Sequence, residues 1–194
     1  MEEQKLVISK GNSKIGNIPN VSLSPLQCKN VPCRGKCYAM KSFKQYPNVR
    51  KAWEGNSRFY ADNPEYYFFR LREYLYKSKP LFFRWHVAGD IPDQYYLDNM
   101  VSIARANPGT RFLAYTKCHG LNYDLVKHVN NLTVIFSYWP EWGIVNNSIP
   151  AAFYLLYDNP DDRFKGYFEC PGSCTDCKVC WNLKPGETVA FPAH

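Results

Sequence analysis

The sequence predicts an α/β protein, a partial (β/α) barrel or open sheet of about six mostly parallel strands with Cys-rich loops at the carboxyl-terminal edge. Three observations carry that expectation. Short apolar and aromatic runs recur between residues 21 and 191. Segments with apolar residues at helical spacing lie between them, the alternation that builds βα units and a parallel sheet. The runs number about six, too few to close an eight-stranded barrel.

Val21–Leu26 (VSLSPL) reads as the first strand, interrupted by Pro25. Two helical pieces follow, roughly Val49–Tyr60 and Pro64–Tyr76, the second capped by Asn63 with Pro64 in its first turn. Leu81–Val87 (LFFRWHV) is the next strand and runs into Ala88-Gly89-Asp90. Pro92 opens a helix with Tyr96, Leu97, Met100, Val101, Ile103 and Ala104 at helical spacing, stopped by Asn107-Pro108-Gly109. Arg111–Thr116 is a strand, and Leu121, Leu125, Val126 and Val129 form a short helix face with Asn122 as its cap. Leu132–Tyr138, Ala151–Tyr157 and Thr188–Phe191 complete the strands. A chain of 194 residues with 45% hydrophobic and 16% aromatic content suits one compact domain, residues 1–194.

Seven of the eight cysteines fall into two clusters. Cys28, Cys33 and Cys37 are spaced C-x4-C-x3-C; Cys170, Cys174, Cys177 and Cys180 are spaced C-x3-C-x2-C-x2-C. Thiolates this crowded repel one another unless a soft cation neutralises them or oxidation pairs them. The C-x2-C-x2-C core has the spacing with which ferredoxin-like loops wrap a [4Fe–4S] cluster, and Pro171, Gly172 and Ser173 keep the loop small. Zinc is the alternative metal, although structural zinc sites usually separate two C-x2-C knuckles by a dozen or more residues. Disulfides are the third reading. Seven ligands permit one cluster or two. Cys118 stands apart and reads as a spare thiol.

In parallel folds the ligand site lies at the carboxyl ends of the strands. His86, Asp90 and Lys117 fall there and are the candidate catalytic residues. The ordinary reading of His86 is a hydrogen-bonded core histidine, and that of Asp90 is a helix cap. Tyr115 to Lys117, Ser137 to Trp139 and Asp158 also lie at strand ends. Trp139, Pro140, Glu141 and Trp142 form an aromatic loop that could roof a cluster, stack on a base or pack in the core. Asn12 and Lys14 sit on a Gly-flanked turn within reach of a phosphate.

Met1 to Gly11 lacks an apolar core, so no secretory signal is expected, and no run is long enough to span a bilayer. A cytosolic location follows, where clustered cysteines favour metals over disulfides. The formal charge of +7 comes from Lys and Arg along the chain without a long basic run, so nucleic acid is a permitted partner and not the favoured one. No Walker loop, G-x-S-x-G elbow or H-E-x-x-H is present.

A loop of three cysteines after the first strand of a partial barrel resembles radical S-adenosylmethionine enzymes. Their usual spacing is C-x3-C-x2-C, and Ala88-Gly89-Asp90 stands where they carry a Gly-Gly-Glu-like element. That resemblance implies S-adenosylmethionine as a second cofactor, with Gly89 at its binding site. Gly11-Asn12-Ser13-Lys14, CRGKCYA (33–39), RWHVAGD (84–90), Tyr95-Tyr96-Leu97, RFLAYTK (111–117) and CKVCW (177–181) resemble the phage gene-product-88 domain family. The family implies a phage or prophage protein in the bacterial host cytosol, with the two cysteine groups read together, and it supplies no reaction. The expected function is therefore a phage-type [4Fe–4S] protein and possible radical-SAM-like redox enzyme acting on a small molecule or a host or phage partner. The alternatives are a non-catalytic electron carrier or redox sensor, and a zinc-stapled nucleic-acid-binding domain.

Overall fold

The computed structural model describes residues 5–28, 31, 33, 37–138, 148–155 and 166–192. The expected Trp139–Trp142 loop and Asp158 lie outside these residues. The strands are β1 (Ile8–Ser9), β2 (Asn20–Val21), β3 (Phe82–Trp85), β4 (Arg111–Thr116), β5 (Leu132–Ser137), β6 (Ala151–Leu155), β7 (Phe168–Glu169) and β8 (Thr188–Pro192). The helices are α1 (Tyr38–Gln45), α2 (Pro47–Asp62), α3 (Pro64–Ser78) and α4 (Gln94–Ala106). They form one open sheet in the order β1-β2-β3-β4-β5-β6-β8-β7, parallel except for β1 against β2. The α/β class and the mostly parallel sheet match the expectation. The sheet has eight strands where about six were expected, and it is not closed into a barrel.

From β2 to β6 each strand lies beside its predecessor in the chain, so the crossover helices α2, α3 and α4 pack on one face. Alternation along the strands assigns the faces. Phe83, Trp85, Phe112, Ala114, Val134 and Phe136 point to the helices, where Phe68, Tyr96, Met100 and their neighbours bury them. Leu113, Ile135, Ala152 and Val189 point the other way. No α-helix covers that second face among the described residues. Instead Ile15 and Ile18 from the N-terminal turn, with Cys170, Cys174, Cys180 and Trp181, pack onto it.

Local signals explain the boundaries. Asn63 accepts from Tyr66 N–H at 3.0 Å and Pro64 follows, which starts α3 where the sequence places it. The strand expected over Val21–Leu26 is β2 and stops at Val21, because the Ser22 hydroxyl accepts from Val87 and Ala88 N–H at 3.1 and 3.3 Å, and Pro25 then begins a 3-10 turn. The helix expected from Pro92 begins at Gln94, and Asp93 caps it by accepting from Tyr96 N–H at 2.9 Å. Asp90 is therefore not that cap.

Candidate metal and ligand site

The 3-10 turn Pro25–Gln27 delivers Cys28 to the carboxyl edge of the sheet, and Cys37 begins α1. The Cys33 thiol hydrogen-bonds to the Cys37 sulfur. That bond, helped by the nearby N–H groups of Met40 and Ala39 at the start of α1 and by the Lys117 charge, brings the Cys37 thiol down to about 5 against its burial. No cap hydrogen bond closes there. The bond Cys33 gives, then burial, push Cys33 upward, and Cys28 and Cys37 repel its charged form further. Tyr38 fastens this loop to the sheet by donating its hydroxyl to Val87 O, while its ring stays 60% exposed.

Asp90 and Lys117 meet at the same edge. Asp90 Oδ1 accepts from Ile91 N–H at 2.7 Å, and Oδ2 accepts from Lys117 N–H at 2.8 Å, tying the loops after β3 and β4 together. Burial works against the Lys117 ammonium, but the charges of Asp90, Cys33, Cys28 and Tyr38 outweigh it and hold the pKa above its ordinary value. A cavity of about 420 Å³ lies here, with Cys28, Asp90, Lys117 and Cys118 in its wall. Its size suits a small ligand.

Gly89 and His86 have different surroundings. Gly89 has φ +81°, and a Cβ there would stand 2.8 Å from Leu23 Cβ and Leu23 O. Glycine is needed for this close approach, independently of any cofactor. Gly89→Ala is expected to lower stability by about 3 kcal/mol through left-handed strain and overpacking, and thermal denaturation reads the loss. His86 has φ +52°, which ends the strand alternation and turns the ring to the helix side. There Nε2 lies 3.1 Å from the Tyr96 hydroxyl, which in turn lies 3.0 Å from that of Tyr67. His86 is 3% exposed, and Nδ1 is buried without a partner. The described structure does not bring His86 together with Asp90 and Lys117 at the cavity wall.

The C-terminal cysteines lie against the helix-free face. Cys170 N–H donates to Ala190 O at 2.8 Å and Cys174 N–H to Lys14 O at 2.8 Å, so the turn holding Asn12 and Lys14 clamps this loop. Asn12 Oδ1 serves the turn itself, accepting from Lys14 and Ile15 N–H. Gly172 N–H points at Cys170 Sγ, 3.4 Å away. The Tyr115 hydroxyl donates to Cys180, and burial pushes the Cys180 thiol up to about 11. Cys174 and Cys180 feel Cys170, and Cys174 also feels Cys177. Each cysteine group thus senses its own members.

Three further residues stand beside the cysteines: Arg84, which the sequence reading passed over, Tyr115 at its strand end, and Cys118, read from sequence as a spare thiol. Arg84 alternates with Phe82 onto the helix-free face, where its guanidinium carbon lies 4.5 Å from the Tyr115 ring centroid and its Nε is buried without a partner. Its charge reaches Cys174 and Cys180 on one side and Tyr38 on the other. Tyr115 carries the bond to Cys180. Cys118 shares the cavity wall with Cys28, positioned by its N–H on Thr116 Oγ1 at 3.0 Å.

The family model for Gene product 88 matches residues 3–183. The chain belongs to the Gene product 88 family. This is the phage gene-product family that the motifs resemble, and the match spans both cysteine groups. No curated protein and no solved structure matches the chain. No helix among the described residues of this Gene product 88 protein is long and apolar enough to cross a membrane.

Proposed function

We propose that this Gene product 88 protein binds two iron–sulfur clusters, one at each cysteine group, and that the cluster at Cys28, Cys33 and Cys37 serves a ligand in the adjoining cavity. The observation that carries the reading is the set of three thiols at the carboxyl edge beside the buried ammonium of Lys117. Soft, all-thiol donors suit iron–sulfur chemistry, and a thiolate-held cluster is anionic, so Lys117 and Arg84 supply the compensating charge. The N–H of Gly172 toward Cys170 Sγ supplies the kind of donor that tunes a cluster. Among the described residues no three Cys, His, Asp or Glu side chains enclose a single ion. A cubane asks for something different, since it spreads its thiolates over separate corners.

When bound, such a cluster supplies electron transfer and, where only three cysteines hold it, an iron open to a ligand. The chain's own residues define the rest of the edge site. Lys117 presents positive charge to an anionic group in the cavity, Asp90 fixes the backbone of Lys117, and Cys118 faces the cavity from the wall it shares with Cys28. S-adenosylmethionine is not part of this proposal, because Gly89 is packed on Leu23 and both Asp90 oxygens already accept backbone N–H groups.

Anaerobic purification followed by iron, acid-labile sulfide and zinc analysis tests the reading. About eight irons and eight sulfides per chain are expected for two cubanes. A colourless protein with stoichiometric zinc would overturn it.

A further inference from the structure

The positive charge of this chain is concentrated. Residues 4–53 hold ten Lys and Arg and no Asp or Glu, which exceeds the whole net charge of +7 and leaves the remainder net acidic. The fold displays part of that charge on two adjoining helices. α1 turns Ala39 and Phe43 inward and leaves Tyr38, Lys41 and Lys44 outside. α2 buries Asn56, Ser57, Phe59 and Tyr60 and leaves Arg50, Lys51 and Arg58 exposed at helical spacing. The helices meet through Phe43 and Trp53, stacked with ring centroids 6.5 Å apart, so their outer sides adjoin. Glu54 and Asp62 are the only carboxylates in α1 and α2, against the five cations Lys41, Lys44, Arg50, Lys51 and Arg58. The ion pairs among the described residues join Arg70 and Lys77 to Glu73 and Lys127 to Asp124, and none draws on this face.

Two exposed aromatic rings stand among these cations. Tyr46, between the helices, is 50% exposed, and Tyr38, at the start of α1, is 60% exposed. We propose that this face binds single-stranded nucleic acid, with Lys41, Lys44, Arg50, Lys51 and Arg58 on phosphates and the Tyr46 and Tyr38 rings under bases. Flexible cations interleaved with exposed rings fit a strand whose bases are free to stack, whereas a paired duplex hides its base faces. An acidic protein would satisfy the cations and leave the rings unused. Because Tyr38 directly follows Cys37, a strand on this face passes beside the cysteine trio. The binding chemistry is independent of the group held there, so this inference stands or falls separately from the iron–sulfur reading.

Fluorescence anisotropy on the anaerobically purified protein decides it, with labelled oligothymidylate, its duplex and polyglutamate as ligands. The expected result is tightest binding to the single strand, with log K falling against log salt at a slope of about −3.5 for five phosphate contacts. K41Q/K44Q/R50Q/K51Q is expected to weaken binding more than tenfold at low salt and to remove most of that slope. Tyr46→Ala is expected to weaken it about tenfold with the slope unchanged, and Tyr46→Phe to restore it, because stacking needs the ring and not the hydroxyl. Absent binding, equal affinity for polyglutamate or duplex, or an indifferent Tyr46→Ala would each overturn the inference.

Discussion

Cys37→Ser is expected to lower the iron content of the chain by about half, from about eight per chain to about four, and Cys177→Ser to remove the other half. The expectation rests on where each thiol finds its neighbours. Cys33 and Cys37 are hydrogen-bonded to each other and feel Cys28 and Lys117. Cys174 and Cys180 feel Cys170, with Tyr115 and Arg84 beside them. One group hangs on the carboxyl edge through the Tyr38 bond to Val87, and the other is clamped to the helix-free face by Lys14 and Ala190. Serine keeps the size of cysteine and loses the soft thiolate, so each substitution removes a ligand at little packing cost. Cys177 is the right choice in the second group because Cys180 is buried against the core cluster that contains Trp181. Iron and sulfide analysis with electron paramagnetic resonance on both variants gives the answer. Loss of all iron from either single variant would mean one cluster with ligands from both ends, and full retention in both would remove iron–sulfur ligation from these cysteines.

How much of this was legible in the sequence varies by element, for physical reasons. RFLAYT (111–116) is strand β4 residue for residue, and Asn63-Pro64 marks the start of α3, because alternation and capping are local signals. The two-residue strands β1 and β7 have no periodicity to read. Helix α1 was missed because it is only eight residues long and Cys37 at its cap position makes no side-chain capping bond. At the candidate site, the strand-end rule pointed to Asp90 and Lys117, which the structure places together at the carboxyl edge, and to His86. The rule assumes an alternation that the positive φ of His86 breaks, and the ring lies on the helix side against Tyr96. Arg84 was findable from its parity with Phe82, which puts a cation on the face that the C-terminal cysteines cover. Cys118 was findable too, two residues past the end of β4 and on the same edge as Lys117.

His86 gives the protein a measurable acid sensitivity. Burial, with a smaller push from the Arg84 charge, holds the native imidazole at about 3, against an ordinary value of 6.5. Between those values the unfolded chain binds a proton that the native chain refuses, so stability rises with pH. The contribution is fully present above 6.5 and is lost as pH falls toward 3. From pH 7 to pH 5 the expected loss is about 2 kcal/mol, or roughly 4–8 °C in melting temperature for a chain of this size. His119, lowered chiefly by burial as well, and Cys37, held down to about 5 chiefly by its hydrogen bond from Cys33, add contributions of the same sign. The Glu73 and Asp124 carboxylates are lowered by their Lys and Arg partners and lose their contributions only below about 4.5, outside this window. His86→Asn isolates the effect, since asparagine tolerates the left-handed backbone and does not titrate. That variant is expected to be less stable at pH 7, having lost the contact with the Tyr96 hydroxyl, but its stability between pH 7 and 5 is expected to fall by about 2 kcal/mol less than that of the unmodified protein. Denaturant melts at three pH values distinguish the cases. Equal slopes in both proteins would show that the imidazole takes up its proton inside the native core, and the sealed aromatic pocket around Trp85 and Tyr96 would have to be abandoned.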